Sequence, residues 1–549
     1  MTNPLLTMDS LPPFSQIQPD QVQAAVTQAI ADCKQKIEDV LAQKEPHTWD
    51  SLIAPLEEVN DRLSRIWSPI SHLNAVQNSE ALRAAHDACL PLLSEFQTYV
   101  GQHEGLYQAY LALSESDDFP RLDDAQRKEI LNTLRDFRLS GIGLPAEAQQ
   151  RYGEIQARLS ELASRFSNNV LDATQGWHKL VTDEAELAGL PASAQAAARQ
   201  MAELKGKEGW LFTLDIPSYL PVMMYADSRA LRAELYEAFT TRASDQGPNA
   251  GKWDNSAIMT ELLTLRRELA RLLGFANYAE LSLATKMADK PEQVVEFLTD
   301  LAAKSLPQGK AELEEIRAFA AEQHGQDELA AWDLAYYAEK LKQHKFSVSD
   351  EQLRPYFPAG RVVKGLFEVV KRVFGMKVRE RLGIDTWHPD VRFYDIFDAD
   401  DELRGSFYLD LYAREHKQGG AWMDVCLGRR YRQDGSLQKP VAYLTCNFNG
   451  PVDGKPALFT HNEVVTLFHE FGHGIHHMLT RIDVAGVAGI NGVAWDAVEL
   501  PSQFLENWCW ESEALAFISG HYETGEPLPA DLLEKMLTAR NFQAAMQML

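Results

Sequence analysis

A chain of 549 residues, 45 % hydrophobic and 24 % charged, has ample apolar surface for a packed interior and is longer than one ordinary core organises. Its formal net charge of −26 and isoelectric point near 5.0 repel phosphate, which excludes nucleic acid and anionic membranes as natural partners. Five scattered cysteines (Cys33, Cys89, Cys426, Cys446 and Cys509), odd in number and without a CxxC pair, read as reduced thiols rather than a disulfide framework.

The N-terminus has neither a basic start nor an apolar core segment, and no stretch reaches the length of a membrane span. A soluble, monomeric, cytoplasmic protein is the expectation. From residue 18 to about 205 the pattern is helical with short breakers. Ile155, Leu159, Leu162, Phe166 and Val170 recur at spacings of three and four, which predicts one amphipathic helix between residues 149 and 174. His47, His72, His86 and His103 lack metal-ligand spacing and read as surface or packing residues.

Near Trp210 a short β-like run is closed by Pro217, and helical patterning resumes from about Ser228. A lobe boundary is expected near residue 220, dividing a helical lobe (1–220) from a second lobe (221–549). Helices continue to about Phe374. Residues 407–412 and 441–448 are then rich in β-formers, with Gly419-Gly420 and Asp434-Gly435 as turn signals. The fold class is therefore mainly α, with a small sheet just upstream of the most informative stretch.

That stretch is His469-Glu470-Phe471-Gly472-His473. Two histidines four apart on a helix project from one side, the arrangement in which both imidazoles bind Zn²⁺ and the glutamate acts on a metal-bound water. With 15 histidines, a random chain of this length shows such a motif roughly 3 % of the time, so context decides. Thr460 and Glu463 form a capping-box pattern that starts a helix. On that helix Val464, Phe471, Ile475, Met478 and Leu479 cluster within roughly 80° of Phe468, while His469 and His473 sit at about 100° and 140°, beside the apolar arc. His461, His476 and His477 read more readily as surface or packing groups, and His477 points away from the apolar centre.

A third ligand has to come from another element. His476 and Leu479 stand where a metzincin has glycine and histidine, which excludes that class. Asp483 lies in the tail of the same helix or its turn, too close to fold back. Glu499 opens a second helical pattern after the glycine-rich turn at 485–492, and a helical hairpin would bring it across from His469 and His473. Glu499 is the expected ligand, with Asp496 or Glu506 as acceptors that could orient an imidazole.

The motif, followed after twenty-five residues by Glu499 within Val-Glu-Leu-Pro-Ser-Gln-Phe-Leu-Glu-Asn-Trp, resembles the thimet oligopeptidase family of zinc peptidases. Leu11-Pro-Pro-Phe14, residues 273–281, 407–422 and 495–500 resemble other blocks of that family, so the likeness spans nearly the whole chain. It implies a two-lobed helical body with a deep central channel and one zinc at its floor, cutting short peptides and excluding folded proteins. His469, His473 and Glu499 would correspond to the zinc ligands and Glu470 to the general base. The resemblance also implies a C-terminal helical segment whose histidine and tyrosines contact the substrate. This sequence stops at Leu549, inside an apolar helical pattern (Leu533, Met536, Leu537, Phe542 and Met546), so a chain lacking that segment is expected. The alternative expectation is a fragment that binds zinc and peptide with impaired turnover.

Overall fold

The computed structural model describes residues 3–44 and 46–549. Helices Pro19–Leu41, Ala54–Val76, Glu80–Gly101, Glu104–Ser114, Asp124–Leu139 and Ala146–Gln175 follow one another before the first strand. The last of these buries Ile155 and Leu162, with Leu159 and Phe166 packed beside them, which is the stripe its three-and-four spacing predicts.

The structure departs from the sequence reading near residue 217. Trp210–Thr213 is a strand paired with His178–Val181, but Pro217 does not close it. The proline lies in the first turn of a helix, Ile216–Tyr225, where its missing N–H has no helical partner to lose. Ser228 caps the helix Arg229–Thr240, where helical patterning is expected to resume, although the helix Ile216–Tyr225 already precedes it. A second departure lies at the other end. The apolar pattern from Leu533 to Met546 is not one helix: Leu533, Met536 and Leu537 lie on Ala530–Thr538 and Met546 on Ala544–Met548, while Phe542 stands between them in an extended conformation beside Gln543, whose φ of 55° is left-handed. No helix among the described residues is long and apolar enough to cross a membrane, and all five cysteines are buried and unpaired.

The sheet that positions the site has five strands, in the order Lys377–Glu380, Arg392–Phe397, Leu403–Tyr412, Val441–Phe448 and Trp422–Leu427. All pairs are antiparallel except Leu403–Tyr412 with Val441–Phe448. Alternate side chains on a strand leave on opposite faces, and here both faces are covered. Tyr408 and Tyr443 pack with Val22, Ile66 and Ile70 of the N-terminal helices. Phe407, Leu409, Ala442 and Leu444 pack with Phe468 and Phe471 of the helix His461–Met478. The N-terminal helices and the motif-bearing helix are thus two sides of one sandwich, and the sheet transmits the position of one to the other.

Asp410, on the N-terminal face, is the ionic centre of that sandwich. It accepts hydrogen bonds from Trp387 Nε1 at 2.9 Å, from Arg414 at 2.7 and 2.8 Å, and from Lys417 Nζ at 2.8 Å. Burial alone would raise its pKa, but the Arg414 hydrogen bond and the two cations outweigh burial and hold the carboxyl down to about 2. Lys417 also donates to the carbonyls of Tyr412 and Cys446, so it ties the loop after one central strand to the neighbouring strand. Removing one partner from a buried charge network strands the others. Lys417→Met is expected to destabilise the fold by about 3–5 kcal/mol, read as a lower midpoint in urea unfolding.

Candidate metal centre

The helix His461–Met478 begins at Thr460, whose hydroxyl accepts from the Glu463 amide at 3.1 Å while Glu463 accepts from the Thr460 amide at 2.9 Å. Glu463 also receives the Asn449 amide and side chain, at 3.0 and 2.9 Å, which anchors the helix start just beyond the Val441–Phe448 strand. With one face locked onto the sheet, His469 and His473 are held at the edge of the buried arc. Their rings lie 5.0 Å apart between centroids and nearly perpendicular, at 83°.

Glu499 arrives from the turn at 485–492 as the residue capping the helix Leu500–Glu506. Gly472 makes this approach possible. A Cβ there would lie 2.5 Å from the Ser502 Cα and 2.6 Å from the Pro501 carbonyl oxygen, so the two helices meet backbone to backbone. The consequence is convergence. Glu499 Oε2 is 3.1 Å from His469 Nε2 and 3.2 Å from His473 Nε2, and one donor atom from each of the three residues lies within 4.8 Å of the others.

Two further side chains fix this arrangement. His469 Nδ1 donates to Glu506 at 2.6 Å, which leaves its Nε2 as the lone-pair nitrogen facing Glu499. Ser502 donates to Glu499 Oε2 at 2.7 Å. Burial lowers the His473 pKa and favours the neutral imidazole that binds metals. Glu470 is 6 % exposed and accepts no hydrogen bond from the described residues; burial pushes its carboxyl up to about 7. The donor set is that of a zinc site, and two bonds of about 2.0 Å at a tetrahedral angle separate donors by roughly 3.3 Å, close to the spacing found here.

Of the acids weighed from sequence, Glu506 reaches an imidazole and Asp496 does not. Asp496 accepts from the amides of Met287 and Ala288, at 3.0 Å, and so pins a distant loop instead. Asp483 pairs with Arg429 at 2.6 Å. Ser502 stands three residues after Glu499 on the first turn of the next helix, the spacing at which helical side chains meet. His477 is fully buried rather than outward, because the loop at Gly489 packs against its ring and its Nε2 donates to Leu427 at 2.9 Å. His461 likewise is buried and donates to the Cys509 carbonyl at 2.8 Å. In the N-terminal helices His72 stacks on Tyr443 at 3.8 Å, and His103 caps a helix through the Leu106 amide.

Residues 222–549 match the model of peptidase family M3, and residues 26–149 match the neurolysin/thimet oligopeptidase N-terminal domain. The chain belongs to peptidase family M3 and is a metallopeptidase. It is 67 % identical to oligopeptidase A of Escherichia coli over 546 residues, which is 100 % of this chain and 80 % of that protein. It is 66 % identical over 547 residues to oligopeptidase A of Haemophilus influenzae, again covering 100 % of this chain and 80 % of the relative. Among solved structures, PZ peptidase A with an inhibitor shares the fold, with a TM-score of 0.50 at 14 % identity over 97 % of this chain and 74 % of that one.

Glu506→Gln is expected to weaken metal binding about 10- to 100-fold, as changes to residues supporting metal ligands do. Gly472→Ala, which must push Pro501 and Ser502 aside, is expected to weaken it further. Competition against a chromogenic chelator measures both.

Proposed function

We propose that this chain is a zinc-dependent endopeptidase that hydrolyses internal bonds of short oligopeptides, with one Zn²⁺ per chain held by His469, His473 and Glu499. The observation that carries this reading is the convergence of two imidazole Nε2 atoms on one carboxylate oxygen, at 3.1 and 3.2 Å, beside the buried carboxyl of Glu470. The names of the M3 relatives, oligopeptidases in several organisms, support the substrate class. Bound there, zinc supplies an acidified water and a Lewis-acid contact for a peptide carbonyl.

The residues of the chain do the rest. Glu506 and Ser502 hold His469 and Glu499 in orientation, so that little reorganisation accompanies binding. Glu470 holds and moves a proton at its carboxylate: it accepts one as the peptide carbonyl is attacked and returns one to the departing amine. Burial makes Glu470 a stronger base than an exposed glutamate, which suits a proton carrier working near neutrality. The reading includes a monomer acting in the cytoplasm, and lobes that divide near residue 220. The net charge of −26 supports the expectation that nucleic acid and anionic membranes are not partners.

Incubation of the zinc-loaded chain with a quenched nonapeptide tests the proposal. Internal cleavage is expected, lost on chelation and restored by zinc. Glu470→Gln is expected to keep the metal and lose about 10²–10⁴-fold in rate. Zinc and peptide binding without any cleavage would replace the peptidase reading with that of a binding module.

The pH profile follows from the same carboxyl. Glu470 must be ionised to accept a proton, so the rate falls by about tenfold per unit of pH below its pKa. That pKa is raised to about 7 by burial, and a bound cation draws it back down. The acid limb of kcat/KM is therefore expected below pH 7, and Glu470→Gln should abolish that limb.

A further inference from the structure

The stripe of the histidine helix that carries His469 and His473 continues towards its N-terminus, becoming exposed at Asn462. At about 100° per residue, Asn462, Thr466, His469 and His473 fall within roughly 60° of one another. Asn462 and Thr466 form one wall of a cavity of about 400 Å³. The opposite wall is the helix Ile216–Tyr225, which turns Ile216, Leu220 and Met224 into the space at successive i, i+4 positions. Ile216 and Leu220 are 42 % and 41 % exposed, a contiguous apolar face opposite the chemistry-bearing helix.

The polar groups around this cavity are already engaged. Asn449 gives its amide and side chain to Glu463 at 3.0 and 2.9 Å, and Glu463 accepts from Thr460 through its other oxygen. Asn447 donates to the carbonyls of Gln418 and Gly420, at 2.9 and 2.7 Å. Arg354 is spent on Glu351 and the Leu458 carbonyl. On the side of the helix Ile216–Tyr225 what meets a ligand is hydrocarbon, and across from it stand the exposed Asn462 amide and Thr466, whose hydroxyl donates to the Asn462 carbonyl at 3.0 Å.

We propose that this cleft receives an apolar side chain of the bound peptide, two or three residues from the scissile bond, with Ile216, Leu220 and Met224 setting the preference. The inference rests on the peptidase reading for its reference point, the bond held at His469, His473 and Glu499. The spacing follows from geometry. Along a helix rising about 1.5 Å per residue, Thr466 lies roughly 4.5 Å and Asn462 roughly 10.5 Å from His469. An extended peptide advances about 3.3 Å per residue, so two or three residues carry a side chain from the metal centre to the middle of the cleft. The occupant is a peptide side chain because Asn462 and Thr466, which line the cleft, share one helix face with His469 and His473.

Binding is measured on the zinc-loaded Glu470→Gln chain, so that peptide is held without turnover. The probes are nonapeptides in a serine-rich background, with leucine, alanine or lysine placed at each position in turn. The bond cut by the unsubstituted chain is located by mass spectrometry. One position, two or three residues from that bond, is expected to favour leucine over alanine by about tenfold in Kd. Leu220→Glu and Ile216→Glu, added singly to that chain, are each expected to erase this preference and favour lysine there, while zinc content and thermal midpoint stay unchanged. Leu220→Ala, milder at a surface position, reads the same loss if a glutamate variant fails to fold. Absence of peptide binding, absence of an apolar preference, a preference seated elsewhere, or one that survives every substitution would overturn the proposal. Peptide held with this preference by a chain that hydrolyses nothing would overturn the peptidase reading and leave the pocket standing.

Discussion

The site depends on a contact in which one partner has no side chain. At Gly472 the histidine helix meets the start of the helix Leu500–Glu506 with only a hydrogen between them, since any Cβ would fall 2.5 Å from the Ser502 Cα. That close approach sets the height of Glu499 over the two imidazoles. A larger residue would leave each helix intact and the donor atoms apart. The convergence of the two imidazoles and the carboxylate therefore follows from backbone packing first and from side-chain chemistry second.

The contact holds because the histidine helix cannot retreat. Phe468 and Phe471 are fully buried against the sheet, whose other face is covered by the N-terminal helices. Close-packed interiors are stiff, so a helix pinned on one side transmits the position of its neighbour on the other. Asp410 and its cations reinforce the same sheet from the far face, within strands that run beneath the histidine helix. Among the described residues the N-terminal helices contribute nothing to the cluster of His469, His473 and Glu499, yet they are half of the support on which it stands.

Charge is arranged with the same economy. Glu463 and Glu470 lie on one helix, both shielded from solvent, and have opposite fates. Glu463 receives three backbone and side-chain donors and is spent on capping. Glu470 receives none from the described residues, and burial leaves its carboxyl near neutrality in its proton affinity. A carboxylate with its acceptor capacity filled holds structure, and one left without donors remains free to carry a proton.

Local chemistry made much of this legible from the sequence. The Thr460–Glu463 box, the three-and-four spacing around Phe468 and the two histidines are encoded within a few residues, and the helix forms where they place it. Glu499 could be reached because a glycine-rich turn between two helical patterns restricts where the second helix can go. The rest was decided by contacts between segments far apart in the chain. Pro217 starts a helix instead of ending a strand, since a proline is acceptable in either place and only the packed surroundings choose. His477 is buried because a loop closes over it, which its position on the helix could not reveal. Asp496 and Glu506 are both acids near the same hairpin, and their sequence environment does not separate them. Only the folded backbone turns one towards His469 and the other towards the amides of Met287 and Ala288. Sequence determined which groups are capable of holding a metal and moving a proton; tertiary structure decided which are brought within about 3 Å of each other, because that depends on how closely two backbones can approach.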